Sequence, residues 1–407
     1  MARSAVGSQA TSRSRVTSRS RVTGKIDNGR SAASAVVGIY IVLTILGFVA
    51  LWSGSSGYAL RQGKSASYFA VRQILFILLS GAVFVATALV PIEKLRSLIS
   101  PLTFFSLFLM LLPFVPGIGV EINGARRWID LRITNFQPSE LWKPVSIAYA
   151  AHRLDKKDDI VNRSPVEAIF PFLVIALGSV IIYLQDDFST SMVALVSSLS
   201  VFWLAGTSWL FFAGIAAVAV PAVFIMIASS EYRLTRIIGF IIPDYDPHGM
   251  NYQVQNSMRA IITGGLWGEG LGLGTRKLAS IPEVQSDFIF AAFAEEAGLL
   301  GVLVVLACWV FFAVAVLRGT KNRMGFGYTL PVGLMGLLLL EMLLNLGVVS
   351  GFLPATGIAL PFFSAGGSSA LGTGLSFGLI VNALRNPGFE PVKGAEVRPL
   401  AGGYAHG

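Results

Sequence analysis

Charged residues stand inside or between apolar stretches of the chain, at spacings that could support chemistry. Glu140 and Lys143 are three residues apart, so on a helix they share one face and can neutralise each other. Asp186 and Asp187 are neighbours in a short polar turn. The pair could hold a divalent cation, which prefers oxygen ligands, and Asp187 equally suits the N-cap of the next helix. Spacing alone favours the structural interpretations, which are an ion pair and a helix cap.

Asp287 stands where a long polar segment meets the apolar run Phe288–Phe290. Partial removal from water makes a carboxylate a better base, so this aspartate is a candidate for taking a proton from a substrate. An aspartate also suits the N-cap of a helix that starts there, and spacing alone favours the cap. Glu295 and Glu296 follow in the same apolar run, and Glu295 lies close to the helical face of Asp287.

A glycine-rich stretch, 264–274, is followed by two cations, Arg276 and Lys277. Glycine lets backbone N–H groups approach an anion, and the cations could hold a phosphate. The glycine spacing matches neither the dinucleotide fingerprint nor the Walker motif, so it identifies no nucleotide. Arg126 and Arg127, beside Trp128, are similar candidates, and they suit interfacial anchors equally well.

The composition places these residues in a membrane protein. Of the 407 residues, 54% are hydrophobic and 13% are charged, which is about half the charged share of an ordinary soluble domain. The mean hydropathy of +0.69 excludes a soluble globular enzyme, a disordered chain and a fibrous protein. The net charge of +9 does not indicate nucleic acid, because the basic residues collect near the N-terminus and at the ends of apolar runs. A single cysteine excludes an internal disulfide.

Apolar segments of suitable length predict an all-α polytopic membrane protein with ten transmembrane helices. The fourth segment is short and contains a lysine and a proline, and the eighth is long enough to tilt or to extend past the membrane. The predicted spans are 35–53, 70–90, 98–116, 139–152, 168–184, 188–206, 208–229, 288–317, 328–349 and 369–385.

An even number of spans puts both termini on one side of the membrane. With the N-terminus inside, the cytoplasmic segments hold most of the Lys and Arg, so the positive-inside rule predicts that both termini are cytoplasmic. Residues 1–32 are predicted to be a disordered basic tail, 33–386 the membrane domain and 387–407 a second cytoplasmic tail. Irregular segments are then expected on the outer face, and the large one is long enough to build a site. They are 117–138, 185–187, 230–287 and 350–368.

Residue groups along the chain resemble the signatures of a known family, the SEDS proteins (shape, elongation, division and sporulation). The first signature corresponds to Asn123–Ile129 and Phe136–Lys143, and the second to Asp246–Gly249, Tyr252, Gln253, Ser257 and Gly264–Gly272. The third corresponds to Pro282–Phe290 and Ala294–Gly298, and the fourth to Asn345–Pro354, Gly357–Pro361 and Ser364–Ser369. The match runs in family order from about residue 35 to 386, with ten spans.

The resemblance implies a peptidoglycan glycosyltransferase that polymerises lipid II on the outer face of the cytoplasmic membrane. The family's essential aspartate falls on Asp287, which favours the base over the helix cap at this residue. Other site positions of the family fall on Glu140, Lys143, Asp187, Gln253 and Ser368. The resemblance identifies no cofactor, and a divalent cation such as Mg²⁺ or Mn²⁺ is the one candidate.

Three sequence features resemble the division branch of the family more than its elongation branch, which is the alternative. They are the wording of residues 123–129, the long N-terminal segment and the sequence GGSS at 366–369. A division protein of this family is expected at the septum, with a class B penicillin-binding protein that supplies the transpeptidase.

The chemistry expected of such an enzyme is an inverting glycosyl transfer. Asp287 would take the proton of the lipid II 4-hydroxyl as that oxygen attacks the donor sugar. The pyrophosphate leaving group would be neutralised by cations, for which the candidates are Arg126, Arg127, Arg236, Arg276 and Lys277. A lipid II flippase without chemistry, and a scaffold that only activates its transpeptidase partner, are the rival interpretations. Exchanging the Asp287 carboxylate for an amide discriminates among all three.

Overall fold

The helices account for most of the structure, a computed structural model that describes residues 6–122, 124–132, 134–155, 165–242, 250–274 and 286–386. Side chains of the first helix are described from Asn28 onward. The helices are α1 (Val6–Arg61), α2 (Tyr68–Leu89), α3 (Ile92–Leu111), α4 (Pro138–Arg153), α5 (Pro165–Leu184), α6 (Phe188–Leu204), α7 (Trp209–Ala228), α8 (Glu231–Ile241), α9 (Met250–Gly264), α10 (Ile289–Thr320), α11 (Phe326–Val349) and α12 (Gly367–Arg385).

Each predicted span coincides with one of these helices. Within the described residues, eight helices are long and apolar enough to cross a membrane. Helix α6 is apolar but shorter, and α4 is the polar helix that the sequence predicted as the fourth span. The predicted all-α, multi-pass architecture is therefore confirmed, while the count of ten spans stays a prediction. The eight helices are α1 from Asn28, α2, α3 with its following turn, α5, α7, α10, α11 and α12.

The outer segments predicted to be irregular contain regular structure where they are described. Residues 117–138 form an antiparallel sheet of β1 (Gly119–Ile122), β2 (Ala125–Asp130) and β3 (Asn135–Phe136), in the order β1-β2-β3. The segment 230–287 contains α8 and α9. The prediction was wrong for both segments because it identified regular structure by long apolar runs. Helices α8 and α9 are short and amphipathic, and the strands of the sheet have six residues or fewer. Residues 350–366 carry no helix or strand, as predicted.

The N-terminal segment also differs from its prediction. Helix α1 extends back to Val6, so the backbone of residues 6–32 is helical although the sequence predicted disorder. No proline lies between residues 1 and 61, so the strongest helix breaker is missing on the N-terminal side of the first span. The division into tails and a membrane domain stays a prediction.

The long helix α10 is broken at Gly298. This glycine has a φ of 63° and a ψ of −170°, which separates the turns that carry Glu295 and Glu296 from the apolar helix that follows. A left-handed φ favours glycine because it has no Cβ. A Cβ at this position would also lie 2.3 Å from the backbone nitrogen of Gly268, so the break brings two backbone segments into direct contact.

The centre of the bundle is formed by α4, α11 and α12, whose side chains are mostly buried. Helix α2 packs on α12, α1 on α10, and α3 and α6 on α4. Helix α7 is different, because Phe211 is its one buried residue in the structure as described. Its exposed leucine, valine and phenylalanine side chains suit contact with lipid. The buried polar residues therefore concentrate around α4, α11 and α12.

Candidate functional site

A buried cluster of three charges lies at the centre of the bundle. The ammonium of Lys143 donates to Glu140 Oε1 at 2.8 Å and to Glu341 Oε1 at 2.5 Å. Glu140 and Lys143 share a face of α4, and Glu341 comes from α11. The predicted Glu140–Lys143 ion pair is confirmed. Glu341 was missed, although a carboxylate inside an apolar span is itself a signal of a buried partner.

Small polar residues of α12 complete the surroundings of this cluster. Glu140, Lys143 and Glu341 line a small cavity together with Ser369, Thr373 and Ser376. Helix α12 approaches α4 closely because Gly372 carries no side chain, since a Cβ there would lie 2.6 Å from the Glu140 carbonyl oxygen. The buried charges thus lie beside hydroxyl groups of α12 as well as beside apolar side chains of α4 and α11.

A second polar network joins the starts of three helices. Asp187 caps α6, since its Oδ1 accepts from the Thr190 N–H at 3.1 Å. Gln137, the N-cap residue of α4, donates from Nε2 to Asp187 Oδ2 at 3.0 Å, and its backbone N–H donates to the Ser368 hydroxyl at 2.8 Å. Ser368 lies in the first turn of α12. We call the end of the bundle that carries this network and the β-sheet the sheet end.

The two neighbouring arginines of β2 have different partners. Arg126 is exposed and pairs with Glu121 across the sheet, with Nε 3.0 Å from Oε2. Arg127 is more buried and reaches the helix starts, where Nη1 lies 3.5 Å from Asp187 Oδ2 and Nη2 donates to the Asp186 carbonyl at 2.6 Å. Only alternation along a strand separates them in this way, and the sequence alone did not predict the strand.

The Asp186–Asp187 turn does not fit a cation site. Both carboxylate oxygens of Asp187 already accept hydrogen bonds, and Arg127 brings a positive charge to the same place. Asp186 has a left-handed φ of 61°, which suits a tight turn. Among the residues that the structure describes, no three His, Cys, Asp or Glu side chains are grouped as metal ligands. The cap interpretation of Asp187 is confirmed.

Asp287 lies directly before α10. The N-cap residue of α10 is Phe288, so the interpretation of Asp287 as the N-cap, which spacing favoured, is wrong. The backbone carbonyl of Asp287 accepts from the Asn345 Nδ2 at 2.9 Å. A Cβ at Gly357 would lie 3.6 Å from Asp287 Oδ2, so the carboxylate faces the segment that runs on into α12 and Ser368. That segment connects Asp287 with the sheet end.

The remaining candidates lie apart from these contacts or outside the described part of the chain. Arg236, on α8, packs its guanidinium over the Tyr232 ring at 4.4 Å and donates to the Tyr232 hydroxyl. Gln253 is half-buried on α9, a helix that packs on α10 and α11. Arg276 and Lys277 lie outside the described residues. Among the described residues, neither Arg236 nor Gln253 forms a hydrogen bond or ion pair with the Arg127 network.

The glycine-rich stretch uses its backbone N–H groups within the protein. Glu269 and Gly270 donate to the carbonyls of Glu295 and Glu296 at 3.0 and 3.1 Å, which are the carbonyls on the N-terminal side of the break at Gly298. Two of the amides expected to meet an anion are therefore already bonded to the broken helix. The expectation of a phosphate cradle is wrong for these two residues, because a helix break also leaves carbonyls that need donors.

These features define a polytopic membrane protein with charged residues inside its helix bundle. The bundle contains two buried carboxylates and a buried lysine, and an aspartate precedes one of its long helices. The chain belongs to the FtsW/RodA/SpoVE family of cell cycle proteins, whose family model matches residues 33–387. This confirms the resemblance to the SEDS proteins.

Relatives with the same family name agree with this membership. The chain is 34% identical over 363 residues to a protein of Trichlorobacter lovleyi, with 88% of this chain and 94% of the relative covered. It is 32% identical over 357 residues to a protein of Pasteurella multocida, with 85% and 89% covered. Both relatives are named probable peptidoglycan glycosyltransferase FtsW.

Two solved structures have the same fold as this chain. One is a chain of a peptidoglycan synthase complex described as coordinating polymerization and crosslinking, with a TM-score of 0.68, 27% identity and coverage of 86% of this chain and 96% of that one. The other is the rod shape determining protein RodA of Thermus thermophilus, with a TM-score of 0.63, 25% identity and coverage of 87% and 97%.

Proposed function

We propose that this chain is an inverting peptidoglycan glycosyltransferase, which polymerises lipid II into β-1,4 glycan chains at the outer face of the cytoplasmic membrane. The observation that carries the proposal is the location of Asp287. Its carboxylate lies directly before α10, beside the segment that leads to Ser368 and the Arg127 network, in a chain whose relatives are named for this activity. Both termini are proposed to lie in the cytoplasm, so that the sheet end faces outward.

Asp287 acts as the general base of the transfer. Its carboxylate takes the proton from the 4-hydroxyl of the lipid II GlcNAc while that oxygen forms a bond to C1 of the donor MurNAc. The bond from C1 to the undecaprenyl pyrophosphate breaks, and its electron pair leaves with the pyrophosphate. Attack from the face opposite the leaving group converts an α-linkage into a β-linkage, so one base on the acceptor side suffices.

Arg127 is the best-placed described cation for the leaving pyrophosphate. It lies where α4, α6 and α12 begin, and helix N-termini favour negative charge. The Asp187 carboxylate and the Asp186 carbonyl fix its guanidinium, and Gln137 in turn holds Asp187. Arg126 stays at the exposed rim with Glu121, and Arg236 with Tyr232, so we place them outside the reacting groups. Electrostatic stabilisation of this kind lowers the barrier by favouring charge where it develops.

The buried Glu140–Lys143–Glu341 cluster holds the central helices in register. It joins α4 to α11 beside Ser369 of α12, and Glu341 lies one helical turn before Asn345, which contacts the Asp287 carbonyl. The cluster therefore positions the sheet end from inside the membrane. A divalent cation, if one takes part, would be held with the pyrophosphate of the substrate rather than by Asp186 and Asp187.

A class B penicillin-binding protein is the proposed partner, and cell division the proposed setting. The support is the match to a chain of a synthase complex that couples polymerization to crosslinking and the FtsW name of the relatives. Localisation of a tagged chain tests the setting. A septal position supports the division role, and an even distribution along the side wall contradicts it.

Polymerisation and flipping can be measured on one sample. The chain and a transpeptidase-inactivated partner are placed in liposomes that contain fluorescent lipid II, and glycan chains and transbilayer movement are both recorded. A polymerase makes chains from lipid II in detergent as well, where there is no bilayer to cross. Movement across the bilayer without chains would instead identify a flippase, and neither activity with intact partner binding would identify a scaffold.

A further inference from the structure

We infer that Asn345 is a positioning residue for Asp287, which holds the base against the segment that faces it. This inference rests on the proposed function of Asp287 as the base. Asn345 lies on α11 and is 2% exposed. Its Nδ2 donates to the Asp287 carbonyl at 2.9 Å and to the Ile358 carbonyl at 2.9 Å. One amide therefore joins the residue that reacts to the turn opposite it.

The orientation of this amide follows from its surroundings. Both groups in contact are carbonyl oxygens, which only accept hydrogen bonds, so the nitrogen and not the oxygen of the side chain must face them. Each N–H serves one carbonyl. No other uncharged side chain of the same size offers two donors to two acceptors in one plane, so the position requires asparagine for its chemistry as well as its volume.

The turn that Asn345 holds is itself firmly placed. Gly357 has a φ of +74° and lies against the Asp287 carboxylate, where a Cβ would come 3.6 Å from Oδ2. Ile358 and Leu360 are buried, and the Leu360 N–H donates to the Ser364 hydroxyl at 2.8 Å. Asp287 is thus connected through its backbone to a rigid segment that also borders its carboxylate.

The distance from a general base to the proton it takes must be close to a hydrogen bond. A displacement of about 1 Å at a reacting group can cost about 100-fold in rate. Without the two donors of residue 345, the Asp287 backbone is no longer held to the turn at Gly357 and Ile358. The binding of lipid II depends on other contacts, so the effect falls on kcat and not on KM.

The chain contains a matched control for this contact. Asn382, on α12, is fully buried and also donates from Nδ2 to two backbone carbonyls, those of Thr87 at 2.7 Å and Val90 at 2.6 Å. These carbonyls lie at the C-terminal end of α2, at the end of the bundle opposite Asp287. Asn345→Asp and Asn382→Asp therefore remove the same pair of donors from buried positions. Only the Asn345 pair holds Asp287, while at Asn382 the Oδ1 also accepts from Asn386 Nδ2.

The test measures lipid II polymerisation by both variants with the transpeptidase-inactivated partner, per folded molecule. The folded fraction comes from size-exclusion chromatography and thermal unfolding. We expect Asn345→Asp to lower kcat about 100-fold with KM unchanged, and Asn382→Asp to keep the wild-type kcat. Should Asn345→Asp fail to fold, Asn345→Ser, which keeps one donor, carries the same comparison with a smaller fall in kcat.

A double-mutant cycle with Asp287→Asn distinguishes positioning of the base from a general loss of structure. In an Asp287→Asn background the base is already lost, so Asn345→Asp should lower the residual rate no further. An additive loss overturns the inference, as does wild-type kcat in Asn345→Asp or an equal loss of kcat in Asn382→Asp. Failure of the proposed function gives a different result, because the wild type would then make no glycan, or Asp287→Asn would make as much as the wild type.

Discussion

One ammonium serves two carboxylates at the centre of this membrane domain. Glu140 and Glu341 both contact Lys143, and all three are buried. Removing one partner of a buried ion pair leaves a charge without compensation, which is far more costly than removing a whole pair. The three residues therefore contribute unequally, and the lysine is the one on which the other two depend.

Lys143→Met should destabilise the protein strongly, by about 3–5 kcal/mol, because it leaves two carboxylates buried together. Glu341→Gln should cost much less, since the Glu140–Lys143 pair stays intact and a glutamine can still accept from the ammonium. Thermal unfolding in detergent measures both. Glu121→Gln is the control for an exposed pair and should change stability by less than about 1 kcal/mol. Equal losses in Lys143→Met and Glu341→Gln would contradict this role of the lysine.

The residues that carry charge were easier to predict than the contacts they make. Glu140, Lys143 and Asp187 were identified because charges near apolar runs are conspicuous, and their pairing or capping followed from spacing. The third member of the cluster, Glu341, comes from a helix almost 200 residues away, so no local spacing indicates it. The different partners of Arg126 and Arg127 could not be predicted without knowing that they lie on the strand β2. The role of Asn345 could not be predicted without the position of the turn at Gly357.

At the scale of elements, the break in α10 is the feature with the clearest consequence. Gly298 interrupts the helix, and the glycine-rich stretch fills the gap by donating N–H groups to the carbonyls of Glu295 and Glu296. Ser53 of α1 donates to the carboxylate of Glu296 at 2.7 Å from the other side. The outer segment is thereby anchored to the helix that follows Asp287.

Gly298→Ala should release the glycine-rich stretch from α10, because a Cβ there meets the Gly268 nitrogen and the φ of 63° is unfavourable for alanine. Hydrogen exchange at the amides of Glu269 and Gly270 should become much faster while the spans stay protected. Gly214→Ala, in the exposed helix α7 with open space around its Cβ, is the matched control and should leave these amides unchanged. Unchanged exchange in Gly298→Ala would show that the anchoring lies elsewhere.

The sequence predicted the spans better than the segments between them. Long apolar runs locate the membrane-crossing helices, most of them to within a few residues, because burial in lipid requires both length and hydrophobicity, and α1 is the clearest exception since it extends well beyond its apolar run. The sheet and helices α8 and α9 were missed, since each is short and depends on packing against the bundle. Helix α4 is the exception, a polar helix predicted as a span and found almost wholly buried among its neighbours.

For the molecule as a whole, the proposed orientation can be tested by labelling. In a Cys308→Ser background, Arg126→Cys introduces a thiol at the sheet end and Lys94→Cys one at the opposite end, and both positions are exposed. A membrane-impermeant maleimide should label Arg126→Cys in intact spheroplasts and Lys94→Cys only after permeabilisation. The reverse pattern would place the sheet end in the cytoplasm, away from the proposed site of glycan synthesis.

In the whole molecule, the polar residues at the sheet end and the buried charge cluster are connected to each other. The Arg127 network and Asp287 lie at the sheet end, and the buried charge cluster lies inside the bundle beneath them. Helices α11 and α12 and the segment between them connect all three. Substrate is therefore expected to react at the end of the bundle, while the charges within the membrane determine how accurately the helix ends meet.

The most direct test of the proposed activity compares wild type with Asp287→Asn in the polymerisation of labelled lipid II, each with the cognate transpeptidase-inactivated partner. Asp130→Asn, an exposed aspartate of β2, is the control. If Asp287 is the base, the wild type and the control make glycan chains, and Asp287→Asn loses at least about 100-fold in kcat. Equal chain synthesis by Asp287→Asn, with equal folding and partner binding, would contradict the assignment of Asp287 as the base.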